Sequence, residues 1–328
     1  MGPLYRETSR VLKLIGKDGG ETNIDKAIWA DLCEPEESEI AEVERRFGIR
    51  LPTREALSEI EVSSRLRSDK GQLIMSAPLI ARHGEVGMLS PTGFILDKDR
   101  LVTVRFCQMT AFDQVHEAIE KGDHAVGGQE VLVRLLEDII DRSADRLERV
   151  AEELATASHA IFREPQKDGP KKRLGRETRR LRALMVRVGR ASEQMVKVRH
   201  AFLAIGRIAN FVLDRCEPKI PDALRDRLEA VKHDIESLDE FESSLTGRVQ
   251  LLIDAATAFI SIEQNDVVKV LTVVSVAGVP PVLVAGVYGM NFHDMPELSW
   301  PWGYPFAWAL MILSTIIPVL WFKWRDWL

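Results

Sequence analysis

Residues 270–292 read VLTVVSVAGVPPVLVAGVYGMNF, 23 positions without Asp, Glu, Lys or Arg; after a five-residue polar linker, residues 298–322 read LSWPWGYPFAWALMILSTIIPVLWF, 25 more. A hydrocarbon core of about 30 Å is crossed by roughly 20 helical residues, so both runs predict transmembrane helices joined as a hairpin. The expected bounds are 269–292 for the first span, 293–303 for the outer loop, 304–323 for the second span and 324–328 for a tail. The rest of the chain belongs to another solvent. Of 44 Lys and Arg and 50 Asp and Glu, only Asp294, Glu297, Lys323, Arg325 and Asp326 lie beyond Lys269.

Charge also orients the hairpin. His293, Asp294 and Glu297 occupy the linker, which has no Lys or Arg, whereas Lys269 precedes the first span and Lys323 and Arg325 follow the second. The positive-inside rule therefore puts the linker outside and both termini in the cytoplasm. Trp300, Trp302 and Tyr304 at one boundary and Trp321, Trp324 and Trp327 at the other are placed as interfacial anchors. The first thirty residues carry Arg6, Glu7, Arg10, Lys13, Lys17, Asp18, Glu21, Asp25 and Lys26 with no signal-peptide run, which agrees with a cytoplasmic amino terminus. A plasma membrane, of the bacterial inner-membrane type, is the expected location.

Upstream, residues 1–125 read as an α/β domain. Strands are expected at Ala27 to Leu32, Gly71 to Ala81, Gly93 to Leu96 and Leu101 to Phe106, with helices at Pro35 to Phe47 and Phe112 to Lys121. Long α-helices follow. In the 126–220 helical hairpin, Leu132, Leu136, Ile139, Leu147, Val150, Leu154, Ala157 and Ile161 keep heptad-like spacing up to Pro165, and a second helix runs from Lys172 to Leu213. After the Pro218 to Pro221 turn, a stalk (221–268) repeats the seam with Val231, Ile235, Leu238, Leu245, Val249, Leu252, Ala256 and Phe259. No stop signal precedes the membrane, so Pro221 to Asn291 is expected as one helix of roughly 105 Å.

Along this helix Asp254, Thr257, Ser261, Asn265, Thr272 and Ser275 fall at helical spacing, a polar stripe suited to lining an axis, interrupted by Val268 and Leu271 as hydrophobic constrictions. Small polar residues also ease helix packing, which is the plainer account of any one position. Pro280 and Pro281 each remove a backbone donor, so the kink must face protein or water. One hairpin encloses no aqueous path, and transport would need several copies around an axis.

The first span ends in Tyr288-Gly289-Met290-Asn291-Phe292, followed by Met295-Pro296-Glu297-Leu298. This combination closely resembles the signature of the CorA family of magnesium and cobalt transport proteins, and the likeness extends over Gly303-Tyr304-Pro305, the second span, Trp327-Leu328 and the Asn265 to Leu271 stretch. The resemblance implies a homopentamer, a CorA-like funnel with an α/β/α cytoplasmic domain, and a pore-lining stalk helix. It implies a ring of five Asn291 side chains at the entrance, with Gly289 and Met290 completing the selectivity motif. It further implies an acidic ring of Asp254 near the cytoplasmic end, Asn265 above it, and a gate at Val268 and Leu271. Asp294 and Glu297, repeated around a ring, would concentrate cations at the outer mouth; as single residues they are ordinary loop acids. The implied cargo is Mg²⁺, with Co²⁺ or Ni²⁺ also passing, and Mg²⁺ acts in the family as a regulator from inside.

Three departures stand out. Where the family often has Asp and, three residues on, Asp-His, this chain has Ala230 and His233-Asp234; Asp226, Glu229 and Asp234 either replace that regulatory set or form a solvated acidic face. Only Lys323 and Arg325 stand for the family's terminal lysine cluster, and His293 follows the signature in place of an acid. An exposed loop histidine is the simpler reading of His293; a softer ion is the other.

No Gly-x-x-x-x-Gly-Lys-Ser/Thr loop suggests use of ATP, no basic arm suggests nucleic acid, and no nucleophile–base or metal-ligand constellation suggests an enzyme. Lys171, Lys172, Arg173, Arg176, Arg179, Arg180 and Arg182 form one basic stretch, read as a solvated face paired with acidic helices or as a contact for anionic lipid. Cys33, Cys107 and Cys216 are expected as reduced thiols. The leading expectation is a potential-driven Mg²⁺ channel whose partners are divalent ions, lipid and copies of itself. Its rivals are a Zn²⁺ or Co²⁺ transporter of the same fold and a non-conducting membrane-tethered sensor.

Overall fold

The structure is a computed structural model and describes residues 11–16, 26–59, 61, 65–81, 87–122, 125, 127–162, 176–290, 295–296, 300–325 and 327. Six strands form one sheet: β1 (Val11–Ile15), β2 (Trp29–Cys33), β3 (Leu66–Asp69), β4 (Gln72–Ala81), β5 (Met88–Asp97) and β6 (Arg100–Arg105). The order is β1-β2-β6-β5-β4-β3, and every pair is antiparallel except β2 with β6. Three helices accompany it, α1 (Glu37–Phe47), the single turn α2 (Arg54–Leu57) and α3 (Thr110–Glu120).

Side chains alternate across a strand, and the chemistry of the two faces differs accordingly. One face presents Ala30, Leu32, Ile95, Val102 and Val104 to Val43 and Phe47 of α1, an apolar core. Helix α1 is set by a capping box between Glu36 and Glu39 and stopped by Gly48, whose φ of 66° suits a residue without a side chain. The opposite face carries Trp29, Asp31, Phe94, Thr103 and Arg105, all buried, under α3. Arg105 donates through Nε and Nη2 to the Asp31 carboxylate, at 3.1 Å and 2.8 Å to Oδ2. The Thr103 hydroxyl donates to Asp31 Oδ1 at 2.7 Å and accepts from the Trp29 indole at 3.0 Å. His116 of α3 lies 3.1 Å from Asp31 Oδ2 and stacks on Trp29 at 3.9 Å between centroids, while Phe112 lies under the Arg105 guanidinium at 5.0 Å.

The remaining elements are long helices: α4 (Gly128–Phe162), α5 (Arg176–Arg215), α6 (Asp222–Tyr288) and α7 (Gly303–Trp324). Helix α4 starts against the β5–β6 turn: a Cβ on Gly128 would lie 2.4 Å from the Leu101 amide nitrogen, so only glycine fits there. The chain divides into two compact units, 1–160 with 186–251, and 161–185 with 252–328. In the first, the seam residues Leu132, Leu136, Leu147, Val150 and Leu154 of α4 and Val231, Ile235, Leu245 and Val249 of α6 are buried. Arg227 of α6 pairs with Glu137 of α4, and Arg199 of α5 with Asp239 and the buried Glu242 of α6. The second unit holds the rest of α6 and all of α7. Its only buried apolar side chains among the described residues are Ile161, Leu181, Leu184, Leu252, Ala256, Val273 and Phe322.

The fold is the expected α/β domain followed by long helices and an apolar pair, with differences of extent. Strand β5 covers ten residues, not four, because Pro91 lies opposite Pro78 in the ladder and the two missing donors share one rung. Gly93 continues the strand where the Leu57 side chain approaches to 3.0 Å of a would-be Cβ. Strands β1 and β3 were not expected. β3 is exposed and lacks apolar alternation; its pairing with β4 alone defines it. Helix α6 begins at Asp222 and stops at Tyr288, and its 67 residues make it about 100 Å long.

Burial alone would raise the Asp31 carboxyl, but the hydrogen bond from His116 and the Arg105 charge hold it lowered, at about 2. A depressed folded-state value stabilises above the unfolded carboxyl's titration near 4 and is lost as pH falls toward 2. Asp31→Ala strands a buried guanidinium; we expect a loss of roughly 3–5 kcal/mol in denaturant titration followed by far-UV circular dichroism at pH 7. The difference from wild type should shrink as pH is lowered from about 4 to 2.

Candidate functional site

At about 100° per residue, Asp254, Thr257, Ser261, Asn265, Val268, Thr272 and Ser275 of α6 fall within an arc of about 80°. Leu271 lies about 40° outside that arc, so of the two expected constrictions Val268 is aligned with the stripe and Leu271 borders it. Thr272 is half-buried and the other seven are exposed, Val268 at 59% and Leu271 at 65%.

The hydroxyls have a shared habit. Thr257 Oγ1 donates to the Ile253 carbonyl at 2.8 Å, Ser261 Oγ to the Thr257 carbonyl at 3.0 Å, and Thr272 Oγ1 to the Val268 carbonyl at 2.8 Å. A hydroxyl has one proton. Once that proton is committed to the preceding turn, the oxygen offers only lone pairs to whatever passes in front of it. Such a surface accepts hydrogen bonds from water and attracts cations, and it cannot solvate an anion.

Beyond Ser275 the same face becomes an open apolar groove lined by Gly278, Val279, Val282, Leu283, Gly286 and Met290. The helix runs through Pro280 and Pro281, which deprive the carbonyls of Val276 and Ala277 of their amide donors. It closes tightly. The Gly289 amide donates to the Ala285 carbonyl at 2.9 Å, and a Cβ on Gly289 would press to 3.0 Å of that same oxygen. Met290 follows, 46% exposed. Asn291, His293, Asp294 and Glu297 lie outside the described residues, as do Lys171, Lys172 and Arg173 of the basic stretch.

Both apolar spans are turned outward. Val274, Val279, Val282 and Leu283 of α6 and Leu313, Ile316, Ile317 and Leu320 of α7 are 48–71% exposed, and only 6% of each most apolar window is buried. An exposed apolar surface of this extent requires hydrocarbon or other protein around it. Rings collect at the span ends: Trp300 meets Phe306, Tyr304 meets Trp308, and Trp327 stacks on Phe322 while Arg325 covers Trp321 at 5.3 Å. At the base of the apolar part of α6, Lys269 pairs with Asp266 at 3.1 Å.

In the first unit Asp226, Glu229 and Asp234 are exposed on α6, and His233 approaches Glu236 at 3.8 Å. Burial and the charges of Asp138 and Asp234 raise the Asp141 carboxyl, a cluster of acids on two helices that spacing along one chain segment did not disclose. Among the described residues no group of three His, Cys, Asp or Glu side chains is arranged to hold a metal. Cys33, Cys107 and Cys216 are free thiols; burial pushes Cys33 up to about 11.

An α/β/α unit, a long helix with a lone-pair stripe and two outward apolar spans define a membrane protein with two spans and a large water-facing part. The family described as CorA-like Mg²⁺ transporter protein matches residues 25–324, and the chain belongs to that family. The magnesium transport protein CorA of Yersinia pseudotuberculosis is 34% identical over 309 residues, 93% of each chain, and that of Escherichia coli 33% over 305 residues, 92% of each. The complete CorA magnesium transporter structure from Methanocaldococcus jannaschii superposes with a TM-score of 0.74 at 19% identity, covering 94% of both chains. The cytoplasmic domain of ZntB from Vibrio parahaemolyticus shares the fold more distantly, with a TM-score of 0.54 at 10% identity over 71% of this chain and 87% of that one. The family is one of transporters, in keeping with the reading of the sequence as a non-enzyme.

A carboxylate at the centre of a membrane helix costs about 2.5–3.5 kcal/mol. Ile316→Asp in α7 should therefore lower the carbonate-resistant membrane fraction of the expressed chain, while Ser299→Asp, four positions before α7 begins, should leave it unchanged.

Proposed function

We propose that this protein conducts Mg²⁺ into the cytoplasm, driven by the membrane potential, through a pore lined by α6 in a homopentamer. The observation that carries the proposal is the α6 stripe: an acid at Asp254, back-bonded hydroxyls at Thr257, Ser261 and Thr272, and an amide at Asn265 on one arc, exposed except at the half-buried Thr272. Mg²⁺ dehydrates reluctantly and travels best inside its water shell. The protons of that shell point outward, and a wall of lone pairs accepts them.

Each step of the path then has a chemical role. Asp294 and Glu297 raise the cation concentration at the outer mouth. A ring of Asn291 side chains, set by the tight Gly289-Met290 ending of α6, accepts hydrogen bonds from the hydrated ion through neutral amide oxygens, so binding stays shallow enough for release. The aliphatic groove beyond Ser275 and the ring at Val268, bordered by Leu271, resist wetting when narrow and gate the path. Asn265 and the hydroxyls accept hydrogen bonds from the water shell of the passing ion, and Asp254 draws the ion to the cytoplasmic end. A divalent ion crossing about 100 mV gains about 4.6 kcal/mol, enough to drive entry without nucleotide hydrolysis. Co²⁺ and Ni²⁺, octahedral and hydrated like Mg²⁺, would follow the same route. Both termini are cytoplasmic, and the membrane is the bacterial inner membrane.

Flux into liposomes with an imposed potential tests this. Wild type should admit Mg²⁺ in proportion to the potential, Asn291→Ala should abolish entry, and Thr272→Val, isosteric but without a lone-pair surface, should slow it several-fold with helix content unchanged. Flux of Zn²⁺ without Mg²⁺ would replace the cargo, and absence of any flux would leave a non-conducting sensor.

A further inference from the structure

The first unit contains a cavity of about 350 Å³ lined from β4, the start of α3, α4 and Ala201 of α5. Small-molecule pockets run from about 300 to 1,000 Å³, so it has room for a small ligand. Part of the lining is apolar, from Leu79, Met109, Phe112 and Ile139; another part is cationic, from Arg142, Arg146 and Arg149. A smaller cavity shares Ile80, Arg146 and Arg149 and adds Lys197.

The three arginines recur at i, i+4 and i+7, which places them on one face of α4. Three of the four cations are already engaged. Arg142 donates to Asp138 at 2.6 Å, and Lys197 pairs with Glu193 at 2.7 Å and donates to the Gly87 carbonyl at 3.1 Å. Arg149 donates through Nε to the main-chain oxygen of Asp145 at 3.1 Å. Arg146 is half-buried, and both its desolvation and the charges of Arg149 and Arg142 push its pKa down. The carboxylates in the two linings, Asp145 and Glu153, are exposed. Guanidinium groups crowded into a partly dry recess are stabilised by an anion, and a planar fork fits phosphate oxygens two at a time.

We propose that this cavity binds a nucleotide-class ligand, a phosphate-bearing anion with an apolar ring, its phosphate held by Arg146 and Arg149 and its ring against Ile80 and Ile139. The site is independent of the ion path and stands whether or not the chain conducts Mg²⁺.

Calorimetric titration of the full chain in phosphatidylcholine nanodiscs, in phosphate-free buffer with EDTA, tests it with ATP, AMP, pyrophosphate and a short-chain phosphatidic acid. ATP or AMP should bind at one site per chain, more tightly than pyrophosphate. Arg146→Gln and Arg149→Gln should each weaken binding about tenfold or more. Should Arg146→Gln disturb the circular dichroism spectrum, the exposed Arg149→Gln decides alone. Failure of both nucleotides to bind, or unchanged affinity in the variants, overturns the proposal. Pyrophosphate binding as tightly as ATP, or phosphatidic acid binding in place of nucleotide, overturns the assigned class.

Discussion

In hydrocarbon a peptide group has no water to fall back on, and that constraint governs the two apolar spans of this protein. A segment crossing the bilayer must satisfy its own hydrogen bonds, so 270–288 can only be helical. Where Pro280 and Pro281 break that self-sufficiency, the freed carbonyls of Val276 and Ala277 need protein or water beside them. The hydroxyls of Thr257, Ser261 and Thr272 also bond within the helix, each donating to the carbonyl one turn back. What remains is a one-sided polar surface. Its polarity is imposed by helix geometry, since the identical side chains on a strand would be free to donate as well as accept.

The first unit obeys a different economy. Its sheet is covered on both faces, one by an apolar cluster and the other by the Asp31, Arg105 and His116 network. Buried charges are tolerated there because every acceptor oxygen of Asp31 is occupied and the guanidinium is both paired and stacked on Phe112. The result ties β2, β6 and α3 together. Helix α6 has a buried seam from Leu228 to Ala256 and exposed apolar residues beyond. Along a single helix the solvent changes from water to lipid, and its composition changes with it.

Much of this was legible in the residues. The absence of charge over two long runs, their proximity, and the Lys and Arg at their flanks dictate a membrane hairpin whatever the rest of the chain does, because transfer energy depends on composition and length. The helical seams were equally plain: Leu132, Leu147 and Leu154 recur as packing requires and are buried. The polar stripe followed from 3.6-residue periodicity alone, and the GMN and MPEL motifs supplied the family. Asn291, Asp294 and Glu297 were likewise read from sequence, and they lie outside the described residues.

Other features had no signature along the chain. β3 is a strand because β4 lies beside it, and β5 passes through Pro91 and Gly93 because Pro78 and Leu57 face them. Asp31 and Arg105 are 74 positions apart and His116 is 85 from Asp31, so nothing local reveals their pairing. The arginine-lined cavity is half visible: the spacing of Arg142, Arg146 and Arg149 marks one helix face, but the apolar wall comes from β4 and α3. Sequence by itself determined the solvent of each segment and the periodicity of each helix, since those depend on side-chain transfer energies and local backbone geometry. Only tertiary structure decided strand pairing, the buried ion network and the cavity, because each is made of contacts between residues that the chain brings together from afar.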